Sequence, residues 1–390
     1  MPQYRAFTGA FLTQFIVIGL MFAFGVLFKE FETLFGWSRT LLSSCTALSF
    51  FVMGILAFFT GRLSDTYGPR PVLAFTGVAY GIGYMLMSQV TQPWQIVLIF
   101  ATFIGLGMGT HDVVTLSTVA RWFQKGRGVV TGLAKVGTAL GQMAMPPIAA
   151  FLVIKYGLQG ALVILGIAAG LVLVFAALLM SHPPKSETSE MLEKKSTVSA
   201  GEARKTLTFK KLCTIQFLFF PTLMTIPTHI AVHGTDLGMS FAQSAYLLTA
   251  IGGASIAGRL AVGVFLDLMG SRNAYILCFI PILISLIALL IVTNHTILFV
   301  MMAFYGFGHG GLFAVVSPSV AGYFGMKEHG ALFGTILFYG TTSGAIGPIV
   351  TGFVFDRYES YNIAFGGLAA FMAMGLLLVF TLPKWDDENI

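Results

Sequence analysis

The sequence predicts an all-α membrane protein with twelve transmembrane helices arranged as two six-helix bundles. Of the 390 residues, 56% are hydrophobic and only 10% are charged, whereas soluble domains carry about 25% charged residues. Apolar stretches of the roughly 20 residues that a spanning helix needs recur along the whole chain, separated by short polar breaks. The third observation is a set of residues that recurs at a constant offset of 202 positions.

The apolar segments fall into two sets of six, on either side of a polar linker. The first set covers residues 7–28, 40–60, 71–90, 94–121, 128–154 and 158–180. The second set covers residues 209–234, 241–265, 273–292, 295–322, 330–355 and 361–382. The predicted domains are an N-terminal bundle at 1–180, a cytoplasmic linker at 181–208, a C-terminal bundle at 209–382 and a cytoplasmic tail at 383–390.

The basic residues predict the orientation of the chain. If both termini are cytoplasmic, sixteen of the 22 lysines and arginines lie on that side and four on the opposite side, as the positive-inside rule favours. The basic residues lie in short loops rather than along one face, so the net charge of +6 predicts no nucleic-acid partner. We expect a monomeric, multi-pass protein of the cell (inner) membrane, in contact with the lipid bilayer. Its first apolar run is predicted to be retained, not cleaved as a signal peptide.

The repeat predicts how the two halves are related. Its pairs at one register are Gly36 with Gly238, Ser38 with Ser240, Lys125 with Lys327, Gly128 with Gly330, Pro146 with Pro348 and Tyr156 with Tyr358. Because each half has an even number of helices, both enter the membrane from the same side, which is a parallel repeat about an axis along the membrane normal. A substrate site is then expected between the halves near the midplane, opened alternately to each side.

A loop that occurs once in each half points to a fold family. Residues 61–70, Gly-Arg-Leu-Ser-Asp-Thr-Tyr-Gly-Pro-Arg, resemble the signature loop of the major facilitator superfamily, and residues 263–272 are a second copy. A carboxylate beside arginines can latch one conformation at the cytoplasmic face. The predicted latch residues are Gly61, Asp65, Arg70, Asp267 and Arg272. The alternative is a turn that only fixes the topology.

Three further stretches are similar to the monocarboxylate transporter family. Residues 25–38 resemble the end of its first helix, and residues 121–137 resemble the signature that enters its fifth helix. Residues 229–238 are similar to its seventh helix and to that of related oxalate/formate antiporters. The resemblance implies proton-linked movement of small carboxylates such as lactate or pyruvate.

The resemblance also implies roles for individual residues. Arg259 matches the family's arginine in helix 8, which is held to bind the substrate carboxylate. Ser255 stands where the family often has an aspartate, and Phe22 stands where the animal transporters have a lysine. The usual proton and anion relay is therefore not intact. Coupling must use other groups, or the substrate itself carries the proton.

Ionisable residues inside apolar segments are candidates for a functional site, because burying a charge in hydrocarbon is costly. Arg259 is eight residues before Asp267, which places it about 12 Å from the helix end. Its planar guanidinium suits a carboxylate, although a structural ion pair is the alternative. Lys135 lies similarly deep in helix 5. It could face the cavity as a second cation, extend to the cytoplasmic edge, or pair with Asp112.

Three other groups are candidates for proton coupling. Asp112 and His111 lie in the middle of helix 4, where a buried carboxyl or an imidazole can hold a proton. A hydrogen-bonded pair that packs two helices is the alternative. His229 lies toward the outer end of helix 7, with His233 and Asp236, where it could gate the external mouth or have only an interfacial role.

Helix 10 supplies the remaining candidate ligands. His309 lies in a glycine-rich run and could face the cavity, while Tyr305 and Phe313 flank it at helical spacing and could cover an apolar methyl group. Close helix packing and an aromatic core are the alternatives. The His, Asp and Cys residues have no metal-ligand spacing and no nucleophile–base motif is present. We therefore expect no metal, no cofactor and no enzymatic activity.

The sequence leaves several functions open. The leading hypothesis is a secondary transporter of small monocarboxylates, coupled to protons by symport and working by alternating access. One alternative is an oxalate/formate-type anion antiporter, for which a second cation such as Lys135 would favour a dianion. A drug/proton efflux carrier predicts acidic ligands in helix 1, which the sequence lacks. A non-transporting membrane sensor would need a signalling domain or a long tail.

Overall fold

The computed structural model describes residues 2–123, 127–181, 200–324 and 329–384, with a few side chains inside these ranges left out. Within that part of the chain every regular element is a helix. Helix α1 is Pro2–Phe35, α2 is Arg39–Tyr67 and α3 is Pro69–Met87. Helix α4 runs from Pro93 to Trp122 in four pieces: Pro93–Ile99, the π-helical turn Phe100–Ile104, Gly105–His111 and Val113–Trp122.

Two long helical runs each contain a sharp bend and supply two spans. Arg127–Leu179 bends at Gly157, which separates α5 (127–156) from α6 (158–179). Phe241–Leu289 bends at Gly270, which separates α8 (241–269) from α9 (271–289). The other helices are α7 at Leu207–Asp236, α10 at His295–Phe324, α11 at His329–Tyr358 and α12 at Asn362–Val379. The twelve predicted helices are confirmed.

Hydropathy supports the membrane assignment independently of the fold. Among the residues described, nine helical stretches are long and apolar enough to cross a bilayer by length and composition. One of them, Gly132–Leu179, is 48 residues long and contains the bend at Gly157, so it provides material for two crossings. The interruption of α4 is the main departure from the predicted segments, because the sequence predicts one continuous helix over 94–121.

The backbone repeats the 202-residue register found in the sequence. Among the described residues, positive φ angles occur at Gly36, Gly68, Gly157, Gly238, Gly270 and Glu359. These six positions form three pairs at the repeat offset: Gly36 with Gly238, Gly68 with Gly270, and Gly157 with Glu359. Each pair lies at an equivalent junction between helices of the two halves. The repeat therefore holds for the turn geometry as well as for the sequence.

The chain divides into two compact units. Unit 1 contains Met1–Pro183, Thr225–Gly253 and Ala345–Ser360, and unit 2 contains Pro184–Met224, Ala254–Gly344 and Tyr361–Ile390. Unit 1 therefore includes parts of α7, α8 and α11 beside the first six helices. The predicted bundle boundaries follow the sequence repeat instead, and they stay a prediction.

Glycine contacts bring the helices of unit 1 close together. A Cβ at Gly19 would meet the backbone of Gly141, so α1 and α5 touch at their main chains. The same close approach joins α3 to α6 where Gly81 meets Gly166. The hydroxyl of Tyr80 then donates to the carbonyl of Val17 at 2.8 Å, which ties α3 to α1. Such close contacts are typical of membrane helices, in which small residues replace the hydrophobic driving force of water.

Close glycine contacts and a tyrosine hydroxyl also hold the helices of unit 2 together around α10. A Cβ at Gly258 of α8 would overlap the Phe307 carbonyl of α10, and one at Gly310 would overlap the Ser255 carbonyl. The hydroxyl of Tyr305 donates to the Thr222 carbonyl of α7 at 3.0 Å. Helix α10 is thus held against α7 and α8, and this fixes the position of the side chains around Arg259.

The third pair of positive φ angles leads to a prediction. Gly157 has φ 71° and ψ 171°, a conformation nearly restricted to glycine, whereas its repeat partner is Glu359 with φ 53°. We expect Glu359→Gly to raise the free energy of unfolding by about 0.5–1 kcal/mol, since relief of strain exceeds the entropy lost by introducing glycine. Gly157→Ala should lower it by about 1–3 kcal/mol.

Thermal unfolding of the purified protein in detergent, at one fixed scan rate, measures both changes. Gly334→Ala serves as the control, because a Cβ there meets nothing within 4 Å and its φ is not positive. A lower midpoint for Glu359→Gly than for the parent protein would contradict the strain argument.

Candidate functional site

A charged pair lies in the interior of unit 1, where α4 and α5 meet. The Lys135 Nζ of α5 lies 3.4 Å from the Asp112 Oδ2 of α4. The two side chains are 32% and 42% exposed, so they are reachable rather than enclosed. The pairing is one of the alternatives that the sequence left open for Lys135.

Uncharged groups hold the Asp112 carboxylate from the other side. The Gln14 Nε2 of α1 donates to Asp112 Oδ1 at 2.8 Å, and the Thr138 hydroxyl of α5 donates to Gln14 Oε1 at 2.9 Å. The His111 Nε2 lies 3.7 Å from Asp112 Oδ1. Gln14 is not among the candidates that the sequence predicts, and its signal there is that the repeat offset pairs it with Gln216.

Arg259 lies in unit 2 among the candidates from α8 and α10. Its side chain is half-buried, and its Nε donates to the Ser255 hydroxyl, one turn earlier, at 3.3 Å. Its guanidinium carbon lies 5.9 Å from the ring centroid of Phe313, at the outer limit of a cation–π contact. The structure thus brings Arg259, Ser255 and Phe313 together.

The aromatic candidates of α10 form a stack behind this arginine. The rings of Tyr305 and His309 lie 5.5 Å apart, and those of His309 and Phe313 lie 5.1 Å apart. Tyr305 and His309 are fully buried, and Phe313 is half-buried. Phe313 is therefore the member of the stack that combines exposure with contact to Arg259, while ligand roles for Tyr305 and His309 stay predictions.

Two further candidates lie elsewhere in unit 1. Phe22 of α1 is buried at 7% exposure. His229 of α7 is fully buried, its Nε2 lies 3.1 Å from the Pro348 carbonyl of α11, and its ring lies 5.5 Å from that of Phe28. His229 thus connects α1, α7 and α11, and its role in a gate stays a prediction.

An ion-pair network that the sequence does not predict lies at the ends of α1, α2, α7 and α11. The Arg39 guanidinium is 2% exposed and lies 2.7 Å from Glu32 Oε1 and 2.6 Å from Asp236 Oδ2. It also lies 3.7 Å above the Phe355 ring. The Asp356 carboxylate accepts from the backbone N–H groups of Arg39 and Thr40 at 3.0 and 2.9 Å, and so caps α2.

We name these four helix ends and their charged residues the Arg39 cluster, which comprises Lys29, Glu32, Arg39, Asp236 and Asp356. Lys29 completes it, with Nζ 2.8 Å from Glu32 Oε2 and 3.5 Å from Asp236 Oδ1. The sequence places Arg39 and Lys29 among the four basic residues on the non-cytoplasmic side. It gives no sign that Arg39 is buried, because three of its partners lie about 200 to 317 positions further along the chain.

The predicted latch residues lie at the opposite ends of the helices. Gly61, Asp65 and Asp267 fall among the positions whose side chains lie outside the described part of the structure. Arg70 is exposed, and Arg272 is half-buried with its guanidinium carbon 6.0 Å from the Phe380 ring centroid. The latch therefore stays a prediction.

Metal binding has no candidate cluster in the part of the chain that the structure describes. Over those residues, no group of three or more His, Cys, Asp and Glu side chains could hold an ion. Cys45, Cys213 and Cys278 are buried and form no disulfide, in keeping with a packing role.

Comparison with known proteins supports the fold and the family. Solved structures with the same fold include the nucleoside transporter NupG, with a TM-score of 0.79, 13% identity and coverage of 98% of this chain and 100% of that one. A D-xylose–proton symporter gives a TM-score of 0.77 and 12% identity, with 98% of each chain covered. At these identities the likeness concerns the fold alone.

Sequence relatives are closer. Monocarboxylate transporter 13 of Rattus norvegicus is 27% identical over 386 residues, which are 96% of this chain and 88% of that protein. Monocarboxylate transporter 4 of Gallus gallus is 27% identical, covering 90% and 77%. The MFS-type transporter YhjX of Escherichia coli strain K12 is 26% identical, covering 73% and 71%. The resemblance to monocarboxylate transporters is confirmed.

The family model described as Major Facilitator Superfamily matches residues 10–291 and 212–389, so its two matches together extend over nearly the whole chain. With twelve helices, a repeat shared by sequence and backbone, and this match, the chain belongs to the Major Facilitator Superfamily of membrane transporters.

Proposed function

We propose that the protein is a proton-coupled secondary transporter of small monocarboxylates such as L-lactate or pyruvate, working by alternating access. The observation that carries this proposal is the surroundings of Arg259. A half-buried guanidinium with a hydroxyl on one side and a phenyl ring on the other provides charge, a hydrogen-bonding group and an apolar wall. A short acid with a small apolar tail offers the matching groups.

The chemistry of the guanidinium favours a carboxylate ligand. Arginine presents a planar fork of donors that binds both carboxylate oxygens at once, and it keeps its charge at any physiological pH. The Ser255 hydroxyl orients one edge of the fork through Nε. The relatives named monocarboxylate transporters give independent support for this ligand class.

The charge balance favours a monoanion over a dianion. An oxalate/formate-type exchanger would use Lys135 as a second free cation. In the structure Asp112 Oδ2 lies 3.4 Å from the Lys135 ammonium and cancels its charge. Arg259 is then the cation that we assign to the single carboxylate of the substrate. Asp112 is also the carboxyl group best placed to exchange a proton, since its side chain is 42% exposed.

The Arg39 cluster supplies a gate for alternating access. With both termini cytoplasmic, as the positions of the basic residues favour, the cluster lies at the outer ends of its four helices. Below it, α2 approaches α11 so closely that a Cβ on Gly352 would meet the Ser43 hydroxyl. Release of Arg39 would free these ends, and the predicted latch around Asp65 and Asp267 would act at the inner ends.

Arg259→Ala should abolish uptake of radiolabelled L-lactate into proteoliposomes, because the substrate carboxylate loses its counter-ion. Arg259→Lys keeps the charge but loses the fork, so we expect uptake well below that of the parent protein. Arg357→Ala, which removes an exposed arginine from the end of α11, is the matched control. Unimpaired uptake by a correctly folded Arg259→Ala protein would refute the site.

An inward proton gradient should drive L-lactate accumulation, and a protonophore should abolish it. For one-to-one symport, a gradient of one pH unit supports about tenfold accumulation. Counterflow without any pH gradient, combined with no response to the gradient, would favour the exchanger instead. Substrate binding with no uptake under either condition would favour a sensor.

Arg39→Ala should separate the helix ends of the Arg39 cluster, since it removes the central cation from a nearly buried ion-pair network. The loss of stability should lie near the lower end of the about 3–5 kcal/mol typical of buried pairs, because the two carboxylates are 23% and 26% exposed and partly screened. Thermal unfolding measures this loss, with Arg357→Ala as the control.

The gate itself is tested by labelling. In protein carrying Ser43→Cys, with the three native cysteines replaced, a membrane-impermeant thiol reagent should react faster from outside when Arg39→Ala is added. Equal labelling rates with and without Arg39→Ala would show that the Arg39 cluster only stabilises the fold.

A further inference from the structure

Helix α4 is interrupted at the residue that pairs with Lys135. One helical piece ends at His111, the next begins at Val113, and Asp112 lies between them. The His111 carbonyl accepts hydrogen bonds from side chains, namely the Gln14 Nε2 at 3.1 Å and the Thr115 hydroxyl. In a membrane interior a freed carbonyl needs such partners. Gln14 therefore stabilises the interruption and holds the carboxylate that it presents.

The orientation of the Gln14 amide is fixed by its neighbours. Gln14 is fully buried, and its Nε2 must face the Asp112 carboxylate and the His111 carbonyl because both are acceptors. This leaves Oε1 to accept from the Thr138 hydroxyl. Its Nε2 then faces Asp112 Oδ1 and Thr115 Oγ1, at 2.8 and 3.3 Å. One oxygen of the Asp112 carboxylate is thus held by a neutral donor, and the other oxygen is turned toward Lys135.

The Lys135–Asp112 pair is looser than the ion pairs that Arg39 makes. Its N···O distance of 3.4 Å exceeds the about 2.7–2.9 Å of a charge-assisted hydrogen bond, whereas Arg39 meets its carboxylates at 2.6 and 2.7 Å with 2% exposure. A tight buried pair is suited to holding a structure together. A loose pair whose side chains remain 32% and 42% exposed is suited to exchanging its partners.

From this geometry we infer that Asp112 is an internal counter-ion of Lys135 that a proton can neutralise, and that Gln14 is the positioning residue that keeps it there. When a proton binds Asp112 Oδ2, the carboxyl becomes neutral and no longer offsets the Lys135 charge, so the carrier gains one positive charge and its affinity rises for the substrate anion, whose carboxylate Arg259 binds. When the proton leaves, Asp112 is ionised again and offsets the Lys135 charge, so the affinity for the anion falls. The inference rests on the proposed function, which it extends by naming how proton and anion are coupled.

The charged and titratable groups near Asp112 are few in the described part of the chain. Lys135 approaches from α5, and His111 approaches from α4 itself with Nε2 at 3.7 Å from Oδ1. Gln14 of α1 is an uncharged donor to Asp112 Oδ1, and the Thr115 hydroxyl donates to the His111 carbonyl. His111 Nδ1 lies 2.6 Å from the Met108 carbonyl, so this nitrogen is the donor and the ring is oriented by its own helix. Lys135 is thus the partner whose charge Asp112 controls.

Asp112→Asn tests the inference because the amide resembles the protonated carboxyl. In proteoliposomes with L-lactate, we expect counterflow to continue while accumulation driven by one pH unit falls about tenfold, to simple equilibration. Lactate binding by this variant at alkaline pH should match that of the parent protein at acid pH. Proton-driven accumulation by Asp112→Asn, or loss of both counterflow and binding in the folded variant, would overturn the inference.

Gln14→Leu provides a second test that does not depend on Asp112→Asn folding. Without the neutral donor, the carboxylate is less stabilised, so the pH at which uptake is half-maximal should rise, while uptake at acid pH persists. Gln216→Leu is the matched control, since Gln216 is the repeat partner of Gln14 and is equally buried. An unchanged pH midpoint in Gln14→Leu, or an equal shift in both variants, would reduce Gln14 to a packing role.

The outcomes separate this inference from the proposed function. If the parent protein transports no monocarboxylate under any gradient, the proposed function fails. If the parent protein shows proton-driven uptake and Asp112→Asn keeps it, the carrier function stands and the coupling through Asp112 fails.

Discussion

The structure depends on how charges are tolerated inside a helical membrane protein. An ionised side chain at the centre of a spanning helix is unfavourable by about 2.5–3.5 kcal/mol on insertion scales, and more without partners. Two of the charges described here are met differently: Arg39 lies 2.7 and 2.6 Å from two carboxylates, whereas Lys135 lies 3.4 Å from one. The tight arrangement suits a gate, and the loose one suits a site at which partners are exchanged.

A local distortion of α4 accompanies the Lys135–Asp112 pair. A regular α4 would use the His111 carbonyl for its own ladder, whereas the interruption at Asp112 leaves this carbonyl to Gln14 and Thr115. A π-helical turn at Phe100–Ile104 lies two turns earlier in the same helix. Such turns inside α-helices are frequent at functional sites. The Gln14 amide therefore has two roles: it donates to the His111 carbonyl at the break in α4, and it orients the Asp112 carboxylate.

The sequence predicted the fold well because hydropathy, basic loops and a constant repeat register are local or periodic signals. It also singled out Arg259, Lys135 and Asp112, because a charge in an apolar run is conspicuous. It did not find Gln14, whose uncharged amide hardly alters hydropathy, or the burial of Arg39, which depends on Asp236 and Asp356 far along the chain. The sequence does pair Gln14 with Gln216 at the repeat offset, but the pair acquires a chemical meaning only when the structure places Asp112 beside Gln14. Long-range pairing is thus the part that only the structure supplies.

The proposed coupling through Asp112 fixes the charge that moves with the carrier. In this cycle the empty carrier has an ionised Asp112 and no bound anion. In the loaded carrier one proton neutralises Asp112 and one substrate carboxylate adds a negative charge, so the total charge is the same in both states. Movement of one charge through the membrane field involves about 2.3 kcal/mol per 100 mV, and this term is then the same in the loaded and empty steps. Net transport of a proton with a monoanion is therefore electroneutral. A dianion would break this balance, because the loaded and empty carriers would differ by one charge.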